Sequence, residues 1–326
     1  MNDRIDEEPT DRSDEVPTTN SGRGDRVLVL NPESGSGDHA PVIRTRAAAR
    51  GIDVRETEVM GDAWRLARDA ASRGVSLVAV AGGDGTVNEV VRGIHDAGAL
   101  GATTVAVIPA GTANLVARSL GIDDVDHAFE LLDRGERRRI DVGFADGRPF
   151  VNTCLAGLSA EANAATPDRL KRRLGVFAYL VTTLRLFPEY EGSSLRVTIE
   201  PAGPGNDPTP ERWSGRALLV LAGNAFRLPG GGSRERPSAE DGVLEVTIVA
   251  EPPSIDAFEA DAISELLDRG LTPVERLEAS SLSITALEEG DVSFTLDGEP
   301  FSAAEAEITV DGRRLSVLAG PTDRAG

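Results

Sequence analysis

The sequence predicts an α/β domain followed by an antiparallel β-sandwich domain. From Arg26 to Asp133, short apolar runs alternate with segments of helical periodicity, the pattern of a parallel sheet with crossover helices. From Ile140 onward, short strand-like runs separated by Gly and Pro turns dominate, as in a sandwich. In the first half, three glycine-bearing turns each follow directly on a strand. Parallel sheets collect their ligands at that carboxyl edge.

Residues 1–24 are acidic (Asp3, Asp6, Glu7, Glu8, Asp11, Asp14, Glu15) and broken by prolines, and are expected to form a disordered tail. Arg26–Leu30 reads as a strand, and Asn31-Pro32-Glu33-Ser34-Gly35-Ser36-Gly37 after it as a loop of small residues a phosphate can approach. A helix follows over Ala40–Arg50, then a strand over Ile52–Glu58. Gly61-Asp62-Ala63-Trp64 opens a helix that runs to Ser72. The central strand Leu77–Ala81 stops at Gly82-Gly83-Asp84-Gly85-Thr86, where the helical pattern of Val87, Val90, Val91 and Ile94 begins.

Strand, glycine turn and helix start together make an anion site, because the backbone is approachable and the first N–H groups are free. Asp84 is out of place in a bare phosphate cradle, since carboxylate repels phosphate. It fits if Mg²⁺ lies between them. A further strand, Thr104–Ile108, ends at the third turn, Pro109-Ala110-Gly111-Thr112-Ala113-Asn114. Helices are expected over Leu115–Leu120 and Val125–Asp133.

Arg137-Arg138-Arg139 marks the seam at about residue 140, as a solvated hinge face or a phosphate-facing patch. The first domain is therefore expected over 25–140 and the second over 141–320, with the last strand free to return to the first. Strands are expected at Ile140–Phe144, Phe150–Leu155, Leu195–Glu200, Gly215–Ala222, Leu244–Val249, Arg276–Ile284, Ser293–Leu296, Ala306–Val310 and Leu315–Leu318. Helices are expected between Pro167 and Phe187 and over Ile255–Leu267. The first of these carries Leu174, Phe177, Ala178, Val181 and Leu184 on one face behind Arg169, Lys171, Arg172 and Arg173. That face suits either core packing or an apolar wall for lipid chains. Asp241-Gly242 reads as a hairpin turn, a cation ligand, or both. Asp297-Gly298-Glu299 sets two acids together at a strand end, which is costly unless a cation or a substrate hydroxyl uses them.

Composition narrows the function. The chain has 326 residues and a net charge of −20, which argues against nucleic-acid binding. Lys171 is the only lysine, so a P-loop and a lysine-dependent protein-kinase site are both excluded. An acidic, lysine-poor surface suits a salty cytoplasm, though GC-rich coding also depletes lysine. The single cysteine, Cys154, leaves no disulfide framework and points to a reducing interior. His39, His95 and His127 are scattered and form no metal-binding pattern. No apolar run reaches the roughly 18–20 residues of a membrane span.

These motifs resemble the diacylglycerol kinase catalytic-domain family, the bacterial-type lipid kinases of the NAD kinase/diacylglycerol kinase-like superfamily. The resemblance rests on Asn31-Pro32 with Ser34-Gly35, Thr57 before Gly61-Asp62-Ala63, GGDGTVNE from Gly82, and PAGTANLVARSLGI from Pro109. In the second half it rests on VNTCLAGLSAEA from Val151, LGVFAYLVTTLRLF from Leu174, Gly223-Asn224, Gly230-Gly231-Gly232, Ala239–Leu244 and Asp297-Gly298-Glu299. It implies a Rossmann-like, NAD kinase-like first domain and an ATP- and Mg²⁺-dependent transfer of the γ-phosphate to a lipid hydroxyl.

The resemblance implies that Asn31, Pro32, Glu33, Ser34, Gly35, Thr57, Gly82, Gly83, Asp84, Gly85, Thr86, Val87, Asn88 and Thr112 contact ATP. It implies a structural Mg²⁺ on Asp241 with carbonyls near Ser238 and Val243, and a catalytic base at Asp297 or Glu299, with Asp297 favoured by position. Leu115 departs from the family, where Asp commonly stands near the substrate. The expected acceptor is a diacylglycerol or an ether-linked dialkylglycerol; sphingoid-base or ceramide and NAD kinases, and a non-catalytic nucleotide- or lipid-binding regulator, are the alternatives. The Thr-Pro-Thr-Gly-Ser-type segment of NAD kinases is absent. A cytoplasmic enzyme working at the membrane surface is expected, and a homo-oligomer is compatible with the sequence.

Overall fold

The computed structural model describes residues 25–157, 192–202, 209–224, 238–251 and 274–320. The acidic segment 1–24, the expected helices between Pro167 and Phe187 and over Ile255–Leu267, and Gly230, Gly231 and Gly232 lie outside the described residues.

The first half alternates strand and helix. It runs β1 (Arg26–Leu30), α1 (Ala40–Ala49), β2 (Asp53–Glu56), α2 (Asp62–Ser72), β3 (Leu77–Gly82), α3 (Asp84–Asp96), β4 (Thr104–Pro109), α4 (Leu115–Ser119) and α5 (Val125–Arg134). β4, β3, β1 and β2 pair in that order, all parallel. β3 and β4 are buried along their whole length, which is why their sequences are unbroken small and β-branched runs rather than alternating ones. α2, α3 and α5 are amphipathic, and α2 and α3 pack along each other so closely that a Cβ at Gly93 would come 2.3 Å from the Trp64 carbonyl oxygen. Arg50 ties α1 to α5 through a bidentate bond to Asp133, at 2.8 and 2.6 Å.

The second half is antiparallel: β5 (Glu136–Ala145), β6 (Arg148–Phe150), β7 (Thr153–Ala156), β8 (Ser193–Pro201), β9 (Glu211–Gly223), β10 (Leu244–Ala250), β11 (Val274–Ala286), β12 (Val292–Leu296), β13 (Glu299–Ala303) and β14 (Glu305–Ala319). The main path runs β13-β12-β7-β9-β10-β11-β14-β4-β3-β1-β2, so all fourteen described strands join one hydrogen-bonded network. β8 closes the sandwich side by pairing with both β9 and β11.

β14 links the two halves. Its first part pairs with β11, from Thr309 against Ser281 to Glu305 against Thr285. Its last part pairs in parallel with β4, Ser316 against Thr104 and Val317 against Val105. The cores divide accordingly: Ala306 and Ile308 belong to the sandwich core, while Leu315, Val317, Leu318 and Ala319 belong to that of the parallel sheet. Ile140 and Val142 of β5 also lie in the first core, and Ala145 lies in the second. The seam between the halves thus runs through the middles of two strands.

Three local differences from the sequence expectation have one cause each. The run expected as one strand over Phe150–Leu155 is broken between β6 and β7, because the N–H groups of Val151 and Asn152 turn to the Asp297 carboxylate. The two strands expected over Ala306–Val310 and Leu315–Leu318 are one, with a register shift between Asp311 and Leu315 and Arg313 at φ +53°. β13 was not expected; it forms by pairing back on β12 across the Asp297-Gly298 turn.

Candidate active site

The three glycine turns meet at the carboxyl edge of the parallel sheet and pack against one another. The Asn31 N–H bonds the Ala81 carbonyl at 2.9 Å, and its Nδ2 donates to Thr86 Oγ1 at 3.2 Å, joining the first turn to the second. Its Oδ1 accepts from the Glu33 N–H at 3.0 Å, which folds Asn31–Gly35 into a compact loop. Gly35, at φ +61°, lies so close to the third turn that a Cβ would stand 2.6 Å from the Ala110 carbonyl oxygen. A Cβ on Gly111 would stand 2.3 Å from Gly83 Cα. Glycine at both positions is therefore required by close backbone approach. Asn114, at φ +50°, closes the third turn around Thr112 by accepting from the Gly111 N–H and donating to the Gly111 carbonyl, at 2.9 and 3.0 Å. Thr57 joins the same edge, its N–H bonding the Leu30 carbonyl at 2.9 Å.

α3 starts at Asp84 behind the extended Gly83 and has no side-chain cap. The N–H groups of its first turn have no intrahelical acceptors, as at any helix start, and favour an anion. Asp84 Oδ1 accepts from the Val116 N–H at 3.0 Å and so holds the first turn of α4 beside that helix start. One turn along α3, Asn88 is buried and donates to the Leu296 carbonyl at 3.4 Å; its Oδ1 has no partner. A further turn along, Arg92 Nη1 donates to Glu299 Oε2 at 2.5 Å. Residues 84, 88 and 92 share one face of the helix by their spacing. That face runs along the β12–β13 hairpin, from the neighbourhood of Asp297 to Glu299.

The two hairpin acids differ in their surroundings. Asp297, at φ +47°, directs both carboxylate oxygens to backbone: Oδ2 takes the Val151 N–H at 2.6 Å, and Oδ1 takes those of Asn152 and Thr153 at 3.0 and 2.8 Å. Burial pushes its carboxyl up to about 6 against the pull of those three amides, and the Asp84 charge adds to the rise. Glu299 is about one-third exposed and holds Arg92 with one oxygen; the other has no partner among the described residues. Burial also raises the Glu299 carboxyl. Arg92 opposes the rise, and Glu89 adds to it. Asn224 secures the amide corner that receives Asp297, its Nδ2 donating to the carbonyls of Asp141 and Val151, both at 2.9 Å.

The third acid lies elsewhere. Asp241 accepts from the Val243 N–H at 3.0 Å, and the Glu240 N–H donates to Ser238 Oγ at 3.1 Å. Burial raises the Asp241 carboxyl, with a contribution from the Asp141 and Glu245 charges. Asp141 is fully buried and bridges this loop to β14 through the N–H groups of Gly242 and Arg313, at 2.7 and 2.6 Å. The basic seam serves the same junction: Arg138 Nε donates to Glu240 Oε1 at 2.7 Å and Arg139 bonds the Gly101 carbonyl. No group of three or more His, Cys, Asp or Glu side chains is placed to hold a metal among the described residues.

Asn31, Thr57, Gly82–Asn88, Thr112 and the Asp297–Glu299 hairpin thus fall in one region, with Asp241 apart from it. The sequence reading missed Arg92 and Asn114. The signal for Arg92 was present in its i+4 and i+8 spacing from Asn88 and Asp84, but a partner on another strand gives that spacing its meaning.

Residues 25–145 match the family model of the diacylglycerol kinase catalytic domain, and residues 152–319 match the YegS C-terminal NAD kinase beta sandwich-like domain. Over 301 residues the chain is 33% identical to a Pseudomonas aeruginosa (strain UCBPP-PA14) protein named "Probable lipid kinase YegS-like", spanning 89% of this chain and 93% of the relative. A protein of the same name from Pseudomonas syringae pv. tomato is 34% identical over 272 residues, covering 82% and 83%. Among solved structures, that of a diacylglycerol kinase from Bacillus anthracis str. Sterne shares the fold, with a TM-score of 0.64 at 21% identity over 91% of this chain and 97% of that one. With the glycine turns packed together at the start of α3, the acidic hairpin bonded along that helix and both halves matched along their length, the chain belongs to the diacylglycerol kinase catalytic-domain family and is a lipid kinase of the diacylglycerol kinase/YegS type.

Proposed function

We propose that the chain transfers the γ-phosphate of ATP to the hydroxyl of a diacylglycerol-like lipid, ester- or ether-linked, with Glu299 as proton acceptor. The observation that carries this reading is the face of α3. One helix presents Asp84 at the glycine turns and, two turns on, holds the Glu299 carboxylate through Arg92. Nucleotide and acceptor sides of the reaction are thereby set from a single rigid element, and positioning is most of what phosphoryl transfer asks of a protein.

The phosphates would lie against the N–H groups of Asp84, Gly85 and Thr86, with the Asn31–Gly35 loop and Thr112 around them. Mg²⁺ suits the residues present. Asp84 keeps one carboxylate oxygen without a partner among the described residues, and Asn88 Oδ1 is a buried oxygen with no hydrogen bond. Both are the hard oxygen donors this ion prefers, and when bound it supplies charge neutralisation on the phosphates. Glu299 takes the proton of the lipid hydroxyl as that oxygen attacks the γ-phosphorus, the bond to the β–γ bridging oxygen breaks, and ADP leaves. Asp297 serves by geometry rather than proton transfer, because both its oxygens are occupied by amides. Asp241, with carbonyls of Ser238 and Val243, would hold a second, structural cation; the crowding of its charge by Asp141 and Glu245 supports that role.

The acceptor is a bilayer lipid, and no helix among the described residues is long and apolar enough to cross a membrane. The enzyme is accordingly read as working at the cytoplasmic membrane surface, where ATP is available. The test is incubation of purified protein with γ-labelled ATP, Mg²⁺, high salt, and separately diacylglycerol, dialkylglycerol, a sphingoid base, ceramide and NAD. Label in a glycerolipid and none in NAD is expected. Labelled NADP with silent lipids would overturn the reading.

A further inference from the structure

The Arg92–Glu299 pair is the direct side-chain ion link between the nucleotide-carrying helix and the acceptor-side hairpin among the described residues. Its members are 35% and 33% exposed, so neither is buried for want of water. The guanidinium is braced from behind: Arg92 Cζ lies 6.0 Å from the Trp64 ring centroid, and Trp64 Nε1 donates to Asp96 Oδ2 at 2.7 Å. A long cation on a free surface would pay rotamer entropy to hold one pose. Here α2 and α3 restrict it in advance. The same geometry leaves one Glu299 oxygen engaged and the other open.

We infer that Arg92 is a positioning residue for the phosphoryl transfer, keeping Glu299 in its proton-accepting form and aiming its open oxygen. The inference rests on Glu299 being the proton acceptor. The charged groups facing Glu299 settle the sign of its effect. On α3, Arg92 favours the carboxylate and Glu89, three residues before it, disfavours it. On its own hairpin, Asp297 is turned away to the amides of Val151–Thr153. On β6, Arg148 is engaged over the Phe301 ring at 4.6 Å. Without Arg92, burial and Glu89 act unopposed, and the acid is protonated at higher pH.

The test compares Arg92→Gln, Arg92→Lys and Glu299→Gln in the full-length protein, measuring kcat and the KM for ATP across pH, with melting temperature alongside. An opposite charge nearby commonly lowers a carboxylate pKa by about 1–3 units, and a part-exposed pair belongs at the low end. Arg92→Gln is therefore expected to move the acid limb of kcat upward by about one pH unit and to lower kcat at neutral pH by roughly tenfold or more. The KM for ATP should change little. Arg92→Lys restores the charge without the planar fork, so its limb should return toward wild type while kcat recovers only in part. An unmoved acid limb in both Arg92 variants, with Glu299→Gln inactive, overturns this inference and leaves the proton-acceptor assignment standing. If Glu299→Gln turns over like wild type, that assignment fails and this inference falls with it. If Arg92→Gln does not fold, Arg92→Lys decides: kcat lowered at an unchanged melting temperature, or an acid limb displaced upward, supports the role, whereas a limb at the wild-type pH with undiminished kcat, or kcat lost only in proportion to melting temperature, overturns it.

Discussion

Asp297 accepts three backbone N–H groups, and Glu299 accepts one guanidinium. Their substitutions should therefore separate. Asp297→Ala strands the N–H groups of Val151, Asn152 and Thr153, and a stranded buried donor costs about 1–3 kcal/mol. Val151, Asn152 and Thr153 are all buried, so about 3 kcal/mol or more in all is the expected loss, or a fall in Tm of at least roughly 6–12 °C for a domain of this size. Glu299→Gln disturbs no backbone group; its Tm should stay within about 2 °C of wild type while kcat falls by at least about 10². Calorimetry beside single-turnover kinetics checks both, and equal melting losses would contradict the division. The pH dependence follows from the same environment. Glu299 accepts a proton only when ionised, and burial raises its carboxyl above the ordinary glutamate range. Activity should then fall as pH drops through a limb lying above that range. The pairing of acids in Asp297-Gly298-Glu299 was legible in the sequence. Their different surroundings were not, because Val151–Thr153 and Arg92 come to them from distant parts of the chain.

At the scale of elements, the glycine turns invite a contrast between fold and function. A Cβ at Gly111 would meet Gly83 Cα at 2.3 Å, backbone against backbone, whereas a Cβ at Gly85 meets nothing within 4 Å. Gly111→Ala should destabilise by about 1–3 kcal/mol, the usual cost of overpacking, and weaken nucleotide binding as the turns part. Gly85→Ala should leave Tm unchanged or slightly higher, since Ala is favoured over Gly in a helix by about 1 kcal/mol. On the proposed placement of the phosphates against the Gly85 N–H, the added methyl group should still raise the KM for ATP. Thermal melts with and without ATP distinguish the two. Asp62 gives a pH test of the loop carrying Thr57. Its carboxylate accepts from the N–H groups of Glu58 and Val59 and pairs with Arg65, which draws its carboxyl down to about 2. A depressed carboxyl stabilises the fold above its unfolded value near pH 4, and that contribution is lost as pH falls toward 2. Asp62→Asn should flatten the acid-denaturation curve in that window. Strand–helix alternation in this half was readable because period and turn chemistry are local. β13 and the break after Phe150 were not, since each exists only through partners far along the chain.

At the scale of the whole molecule, the last strand holds the halves together. Leu315 and Val317 are 1% exposed and lie in the core of the parallel sheet, although they follow the sandwich strands in sequence. The apolar pattern over Leu315–Leu318 says that a strand forms; it does not say which sheet receives it. β4 does, through Ser316 against Thr104 and Val317 against Val105, with Thr104 Oγ1 and Ser316 Oγ 3.1 Å apart. β5 covers the other edge, from Leu315 against Ile140 to Ala319 against Glu136. The Gly320 N–H then bonds the Leu120 carbonyl at 3.0 Å, just beyond α4. A chain ending at Arg314 keeps all the motifs of the nucleotide side, yet it loses this strand and opens the edge of β4. Burying a Val or Leu side chain is worth about 1.5–3 kcal/mol, so losing Leu315, Val317 and Leu318 forfeits roughly 4.5–9 kcal/mol. That is comparable with the whole stability of a typical domain, about 5–15 kcal/mol. The truncated chain should show no cooperative melt and no ATP-induced shift. Leu315→Ala, a milder cut into the same core, should cost about 2–5 kcal/mol and lower the melting of the nucleotide half and the sandwich together. Separate transitions for the two halves in that variant, or a truncated chain that still binds ATP, would show that the parallel sheet stands without its borrowed strand.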